Sequence, residues 1–332
     1  MIRMHMNESP YDFPLRAKLK VTLKALFTSW NRYPEELNHE ALNELSLYTG
    51  KNAENLWLGN GSNELIRLAF LAWGDKGKRV LMISPGFITY EKEAARSGCE
   101  AIRVPLKNDL SFDRTVFLDE VKRADLVILI SPGNPSGESL PVNFIEKVAG
   151  KCPGRVLIDE AYGEFAGESC IPLIERHENV VILRTLSKAF GLAGARIGYA
   201  IGAKRTIEEL RKVSLPYNPG FFSLLLLKEA VGRKRVMEKR VAKLRSERAR
   251  LIVRLKKSPF FTVVPGEANF ILVREKTPES RQALLDSLDH ERIVPRVYEN
   301  GPLATWLRFT VGRPRENNRL LKAVDSVQRR LS

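Results

Sequence analysis

"DLVILISPGNPSG", residues 125–137, decides the fold. The aliphatic run from Leu126 to Ile130 is too short for a buried helix, and a Pro-Gly-Asn-Pro cluster stops it at once. A short apolar run closed by turn residues reads as a strand. The same plan recurs in "RVLMIS" (79–84), "RVLIDEA" (155–161), "VVILRT" (180–185) and "RIGYAIG" (196–202). From about residue 56 these runs alternate with longer helical stretches, which predicts an α/β fold: a mainly parallel sheet flanked by helices.

Polar residues cluster where the runs end, in "SPGF", "SPGNPSG", "DEAY" and "TLSK". In an open α/β sheet these are the carboxyl ends of strands, where ligands bind. The segments therefore converge on one site. Farther on, "FFTVVPGEANFILV" (260–273), a helical stretch and "WLRFTVG" (306–312) predict a smaller α+β domain, with the N-terminal arm packing against it.

Composition narrows the class. With 332 residues, 44% hydrophobic and 28% charged, the chain can bury a core, which excludes disorder. The start "MIRMHMNESP" lacks an apolar leader, and "LVILI" and "FFSLLLL" are too short to span a bilayer. A soluble, cytoplasmic protein without a membrane partner is expected. Cys99, Cys152 and Cys170 are scattered without metal-ligand spacing, so no metal site is expected.

The net charge of +15 suits attraction of anionic small molecules. Much of it lies in residues 232–257, where Met237, Val241, Leu244, Leu251 and Leu255 form the apolar stripe of an amphipathic helix. Its basic side reads as a solvated outer face, and no nucleic-acid module accompanies it.

The chemistry begins with Lys188. At a strand end, burial and neighbouring cations lower a lysine pKa, and the neutral amine attacks carbonyls. A Schiff-base lysine needs an aldehyde cofactor, whose ring nitrogen Asp159 would hold protonated as an electron sink. Tyr162 and Asn134 would reach the ring hydroxyl. Taken alone, Asp159 also suits a helix cap and Asn134 a turn before proline. Donors for a cofactor phosphate lie in "GNGSNE" (59–64): the N–H groups of Gly61, Ser62 and Asn63 open a helix, and Thr185, Ser187 and Arg196 complete the cradle.

The order of Gly-rich loop, aromatic, Asn-Pro, Asp-x-Ala-Tyr and Ser/Thr-x-x-Lys, with an arginine eight positions later, resembles the fold type I pyridoxal-phosphate enzymes. The resemblance covers nearly the whole chain, from "NESPYDFP" to "WLRFTVG". It implies an arm over residues 1–28 that joins the small domain, a large cofactor-binding domain over 29–235 and a small domain over 236–332. It further implies a large-domain sheet of roughly seven strands, pyridoxal 5'-phosphate as cofactor and a homodimer with shared active sites.

Residue by residue, Lys188 would carry the covalent link and move the proton, assisted by Asp159 and Tyr162. Phe87 would stack on the cofactor ring, and Tyr33 in "NRYPE" would reach the phosphate of the neighbouring subunit's cofactor. Arg308 would grip a substrate anion in a planar two-point contact, with Arg296, Asn134 and Asn7 also facing substrate.

Within that superfamily, "NRYPE", "GNGSNE", "RTLSKAFGLAGARIGY", "ANF" and "LRFTVG" are most similar to the histidinol-phosphate aminotransferases. These exchange the amino group of L-histidinol phosphate with 2-oxoglutarate in histidine biosynthesis. Two alternatives stay open. "SPGFITYEKEAARSGCE" and "TVVPGEANF" are closer to threonine-phosphate decarboxylase of cobalamin biosynthesis, and aromatic amino-acid aminotransferases share the fold. Asn63 stands where the family more often has Asp, and "GNPSG" replaces "NNPTG". The Pro-Tyr of the family's N-terminal arm has no counterpart.

Overall fold

The apolar runs become strands. In the computed structural model, which describes residues 1–299 and 301–331, the strands are β1 (Ile2–Met4), β2 (Leu56–Asn60), β3 (Arg79–Ser84), β4 (Glu100–Pro105), β5 (Leu126–Ile130), β6 (Arg155–Asp159), β7 (Val180–Thr185), β8 (Ile197–Gly202), β9 (Phe261–Val264), β10 (Phe270–Glu275), β11 (Ile293–Val297) and β12 (Trp306–Thr310). Seven form a sheet in the order β2-β8-β7-β6-β5-β3-β4. Every residue of β7 and β8 is buried, as expected for central strands covered on both faces.

The sheet is parallel except at β8, which runs antiparallel to both β2 and β7. The run "RIGYAIG" does not reveal this direction. Between β7 and β8 the chain holds only a 3-10 turn at Ala193–Ala195, and a parallel return would need a crossover element, usually an α-helix.

β3 leads outward to β4, whereas β5 lies on the other side of β3, so the strand order reverses between β3 and β5. Ligands in open α/β sheets bind outside such a switch point. Here the switch point is flanked by Phe87, which follows β3, and Asn134, which follows β5.

A second sheet has the order β1-β11-β12-β10-β9. It is antiparallel except that β1, from the N-terminal arm, pairs in parallel with β11 through Ile2↔Ile293 and Met4↔Pro295. The rest of the arm goes elsewhere: Val21 and Ala25 of the helix Leu15–Leu26 pack on Leu225 of the helix Phe221–Val231.

The long basic helix spans Lys234–Leu255 and buries the stripe Met237, Val241, Leu244, Leu251 and Leu255. Arg248 is buried with them, one turn after Leu244. Its guanidinium donates to the carbonyls of Glu267 and Ala268, which satisfies a charge buried in line with the apolar stripe.

Candidate active site

The Gly-rich loop after β2 turns sharply into the helix Ser62–Trp73. Gly61 has φ 79°, a left-handed conformation that favours glycine, and a Cβ there would lie 2.5 Å from Arg196 Nη2. A side chain at Gly198 would collide with the Ser62 nitrogen. Bare backbone at both positions lets β8, the loop and the arginine crowd around one small space.

One expected donor is withdrawn: the turn folds the Gly61 N–H back onto the Gly59 carbonyl at 2.8 Å. Ser62 and Asn63 remain, since the first N–H groups of a helix have no intrahelical acceptor and favour an anion. Ser187 and Thr185 join them. Their hydroxyls are 3.0 Å apart and buried at the end of β7. Arg196 is exposed on its outer side and anchored by a 3.1 Å bond to the Ala193 carbonyl. Hydroxyls, helix N–H groups and a guanidinium together make a site for a phosphate.

Lys188 lies next to this cradle, with its ammonium 3.1 Å from the Met6 carbonyl. Burial pulls its pKa down to about 8, and the charges of Arg308 and Arg196 push the same way against Glu8 and Asp159. Below that value the amine carries a proton and cannot attack a carbonyl. Reloading of the stripped protein with pyridoxal 5'-phosphate is therefore expected to accelerate as pH rises and to level off above about 8. A stopped-flow pH profile with its midpoint near the ordinary lysine value of 10.5 would contradict this.

Asp159 ends β6 and is 3% exposed. It takes a 2.9 Å bond from the Ala161 N–H and a 2.8 Å bond from the Tyr90 hydroxyl. Burial still raises its pKa, because these bonds and the Lys188 charge do not fully offset the lost hydration. Such a carboxyl is completed by a buried cationic N–H. Tyr90 is the partner that sequence reading missed: it lies three residues after Phe87 in a helix whose apolar face accounts for it equally well. Phe87 meets the Tyr90 ring edge-on, with centroids 6.3 Å apart.

Arg308, 8% exposed, sits in the middle of β12 over the Phe270 ring at 5.1 Å. Its Nη1 donates to Asn134 Oδ1 at 2.6 Å and its Nη2 to the His5 carbonyl at 3.0 Å. Its Nε is buried without a hydrogen-bond partner among the described residues. Arg296 is directly opposite in the β11–β12 register, which puts both side chains on one face of the small sheet. Tyr162 is buried against Phe270, and Asn7 Nδ2 donates to its hydroxyl at 2.8 Å.

The fold thus gathers Gly61, Ser62, Asn63, Thr185, Ser187, Lys188 and Arg196 at one end, and Asn7, Asn134, Asp159, Tyr162 and Arg308 at the other. Tyr33 stays apart. It is 77% exposed and stacked on Tyr217, with centroids 4.5 Å apart. Pyridoxal phosphate fits this arrangement on three grounds: a phosphate cradle that a Cβ at Gly61 would fill, an amine of lowered pKa, and a buried carboxyl lacking a cationic hydrogen-bond partner. Among the described residues no His, Cys, Asp and Glu group is arranged to hold a metal.

The profile of the family "Aminotransferase class I and II" matches residues 1–324. A histidinol-phosphate aminotransferase from Chlorobium phaeovibrioides is 34% identical over 97% of this chain and 90% of its own. Histidinol-phosphate aminotransferase 1 from Carboxydothermus hydrogenoformans is 36% identical over 98% and 93%. Among solved structures, histidinol-phosphate aminotransferase from Sinorhizobium meliloti, in complex with pyridoxal-5'-phosphate, superposes with a TM-score of 0.89. Its identity is 26%, and the match covers 100% of this chain and 92% of that one.

Proposed function

Because this chain belongs to the class I and II aminotransferases, we propose that it transfers the amino group of L-histidinol phosphate to 2-oxoglutarate, giving imidazole acetol phosphate and L-glutamate. The observation that supports the substrate is the pairing of Arg296 with Arg308 on one face of the small sheet, with Arg308 bonded to Asn134, an arrangement suited to a phosphate dianion.

The family implies pyridoxal phosphate. When bound, it supplies an aldehyde to join the substrate amine and a ring that takes up the electron pair left when Cα loses its proton. Lys188 would anchor the cofactor and, as the amine nearest the substrate, would take and return the Cα proton. Asp159 would keep the ring nitrogen protonated, and Tyr162 would donate to the ring oxygen. Phe87 would cover one ring face. Ser62, Asn63, Thr185, Ser187 and Arg196 would hold the phosphate. Arg308 orients the substrate anion, so that the proton to be lost faces Lys188.

The reading includes a cytoplasmic homodimer in which Tyr33 reaches the phosphate of the other subunit's site. Exposed Leu19, Leu23, Phe27 and Trp30 on and after the arm helix support a covered face, and no described helix is long and apolar enough to cross a membrane. In this reading residues 29–235 would be the large cofactor-binding unit and 236–332 the smaller one, to which the arm over 1–28 contributes β1 while its helix packs on the large unit.

Steady-state kinetics test the substrate. L-Histidinol phosphate is expected to be used with a kcat/KM at least about 100-fold above that of L-histidinol, since the guanidinium pair needs an anion to hold. Arg308→Ala should raise KM for the phosphorylated donor roughly 10- to 100-fold. Equal use of both donors, or an unchanged KM in the variant, would contradict this assignment.

A further inference from the structure

Asn7 is the most constrained residue of the N-terminal arm. It is 1% exposed, and its backbone is left-handed at φ 53°, a conformation that asparagine tolerates better than most residues. Two contacts hold it there: its own N–H donates to Thr310 Oγ1 at 2.9 Å, and Asn269 Nδ2 donates to its carbonyl at 3.0 Å.

These contacts also determine which way the side-chain amide faces. The Thr310 oxygen already accepts the Asn7 N–H, so its hydroxyl proton is free to be donated, and Asn7 Oδ1 lies 3.3 Å away. The amide oxygen therefore faces Thr310. The amide nitrogen faces Tyr162, with Nδ2 2.8 Å from the phenol oxygen.

A phenol has one proton, which lies near the ring plane, and can accept as well as donate. With Asn7 donating from one side, the Tyr162 proton has to point to the other side, into the site.

We propose that Asn7 is a positioning residue: Thr310 sets its amide, and the amide makes the Tyr162 hydroxyl a donor toward the cofactor's ring oxygen. The inference rests on the pyridoxal-phosphate reading above. It gives the arm a second task, because Thr310 ends β12 in the small sheet whereas Tyr162 follows β6 in the large one. A single amide thus ties the small sheet to the reacting centre.

Donation to the ring oxygen stabilises negative charge there, which favours loss of the proton from the nitrogen that Lys188 contributes. Without Asn7 the phenol is free to turn, and that proton is held more tightly. The other groups facing the Tyr162 phenol are Arg308, Asp159 and Tyr298, which the substitution leaves in place.

The test is an absorbance titration of the holoprotein's bound cofactor against pH, in a double-mutant cycle of Asn7→Gly and Tyr162→Phe. Glycine tolerates the left-handed backbone, so the arm keeps its path. Asn7→Gly should raise the midpoint by about one pH unit when Tyr162 is present and by under about 0.3 unit in the Tyr162→Phe background. Thr310→Val, which releases the amide but leaves Asn7 in place, should shift the midpoint the same way by a smaller amount. An unchanged midpoint in Asn7→Gly, or equal shifts in both backgrounds, would overturn the role of Asn7 alone. A wild-type protein with no pyridoxal-phosphate absorption would overturn the cofactor reading, and this inference with it.

Discussion

Lys188→Ala is expected to lower transamination by at least about 10⁴-fold and to remove the covalent link to pyridoxal phosphate. The loss should be this large because the same amine, buried beside Arg308, Arg196 and Asp159, would both anchor the cofactor and move the Cα proton. The fold should persist, since among the described residues the Lys188 ammonium makes a single hydrogen bond, to the Met6 carbonyl. Single-turnover kinetics and borohydride trapping of the bound cofactor check both parts. A variant with full turnover would take Lys188 out of the mechanism.

Asp159→Ala comes next, at roughly 10²- to 10³-fold in kcat. Removing one partner of a buried charged pair costs about 3–5 kcal/mol, and here that cost falls on the protonated ring nitrogen. The structure adds a constraint: Tyr90 has its hydroxyl on the same carboxylate, so Asp159→Asn preserves the volume but reverses a bond the tyrosine must donate. Both variants should bind cofactor and turn over slowly. Near-normal rates in either would remove the electron-sink role.

Much of the site was legible because the carboxyl ends of β3, β5, β6 and β7 show in the sequence as apolar runs closed by polar clusters. Parallel strands buried on both faces produce such runs, and topology then brings their ends together. What depends on three-dimensional register was not legible. The cross-strand pairing of Arg296 with Arg308 is invisible along the chain, because β11 ends at Val297 and β12 begins at Trp306, too far apart for a two-residue hairpin to set the register.

Buried polar partners were hidden for a related reason. Tyr90 and Arg248 fall on helical positions where periodicity predicts only inside or outside, and each is inside because a specific acceptor awaits it. At Arg248 there was a signal: the stripe from Leu244 to Leu251 skips a turn, and residue 248 fills that gap. The direction of β8 follows from a connection without a crossover helix, not from its own residues.

The central claim is a ping-pong exchange of the amino group of L-histidinol phosphate, and the half-reaction tests it most directly. The visible absorption of the cofactor bound to the purified protein is recorded, L-histidinol phosphate is added, and 2-oxoglutarate follows. The account predicts that the band disappears with the amino donor and returns with the keto acid. A band that does not respond to L-histidinol phosphate, with carbon dioxide released from threonine phosphate instead, would contradict it and assign the same site to decarboxylation.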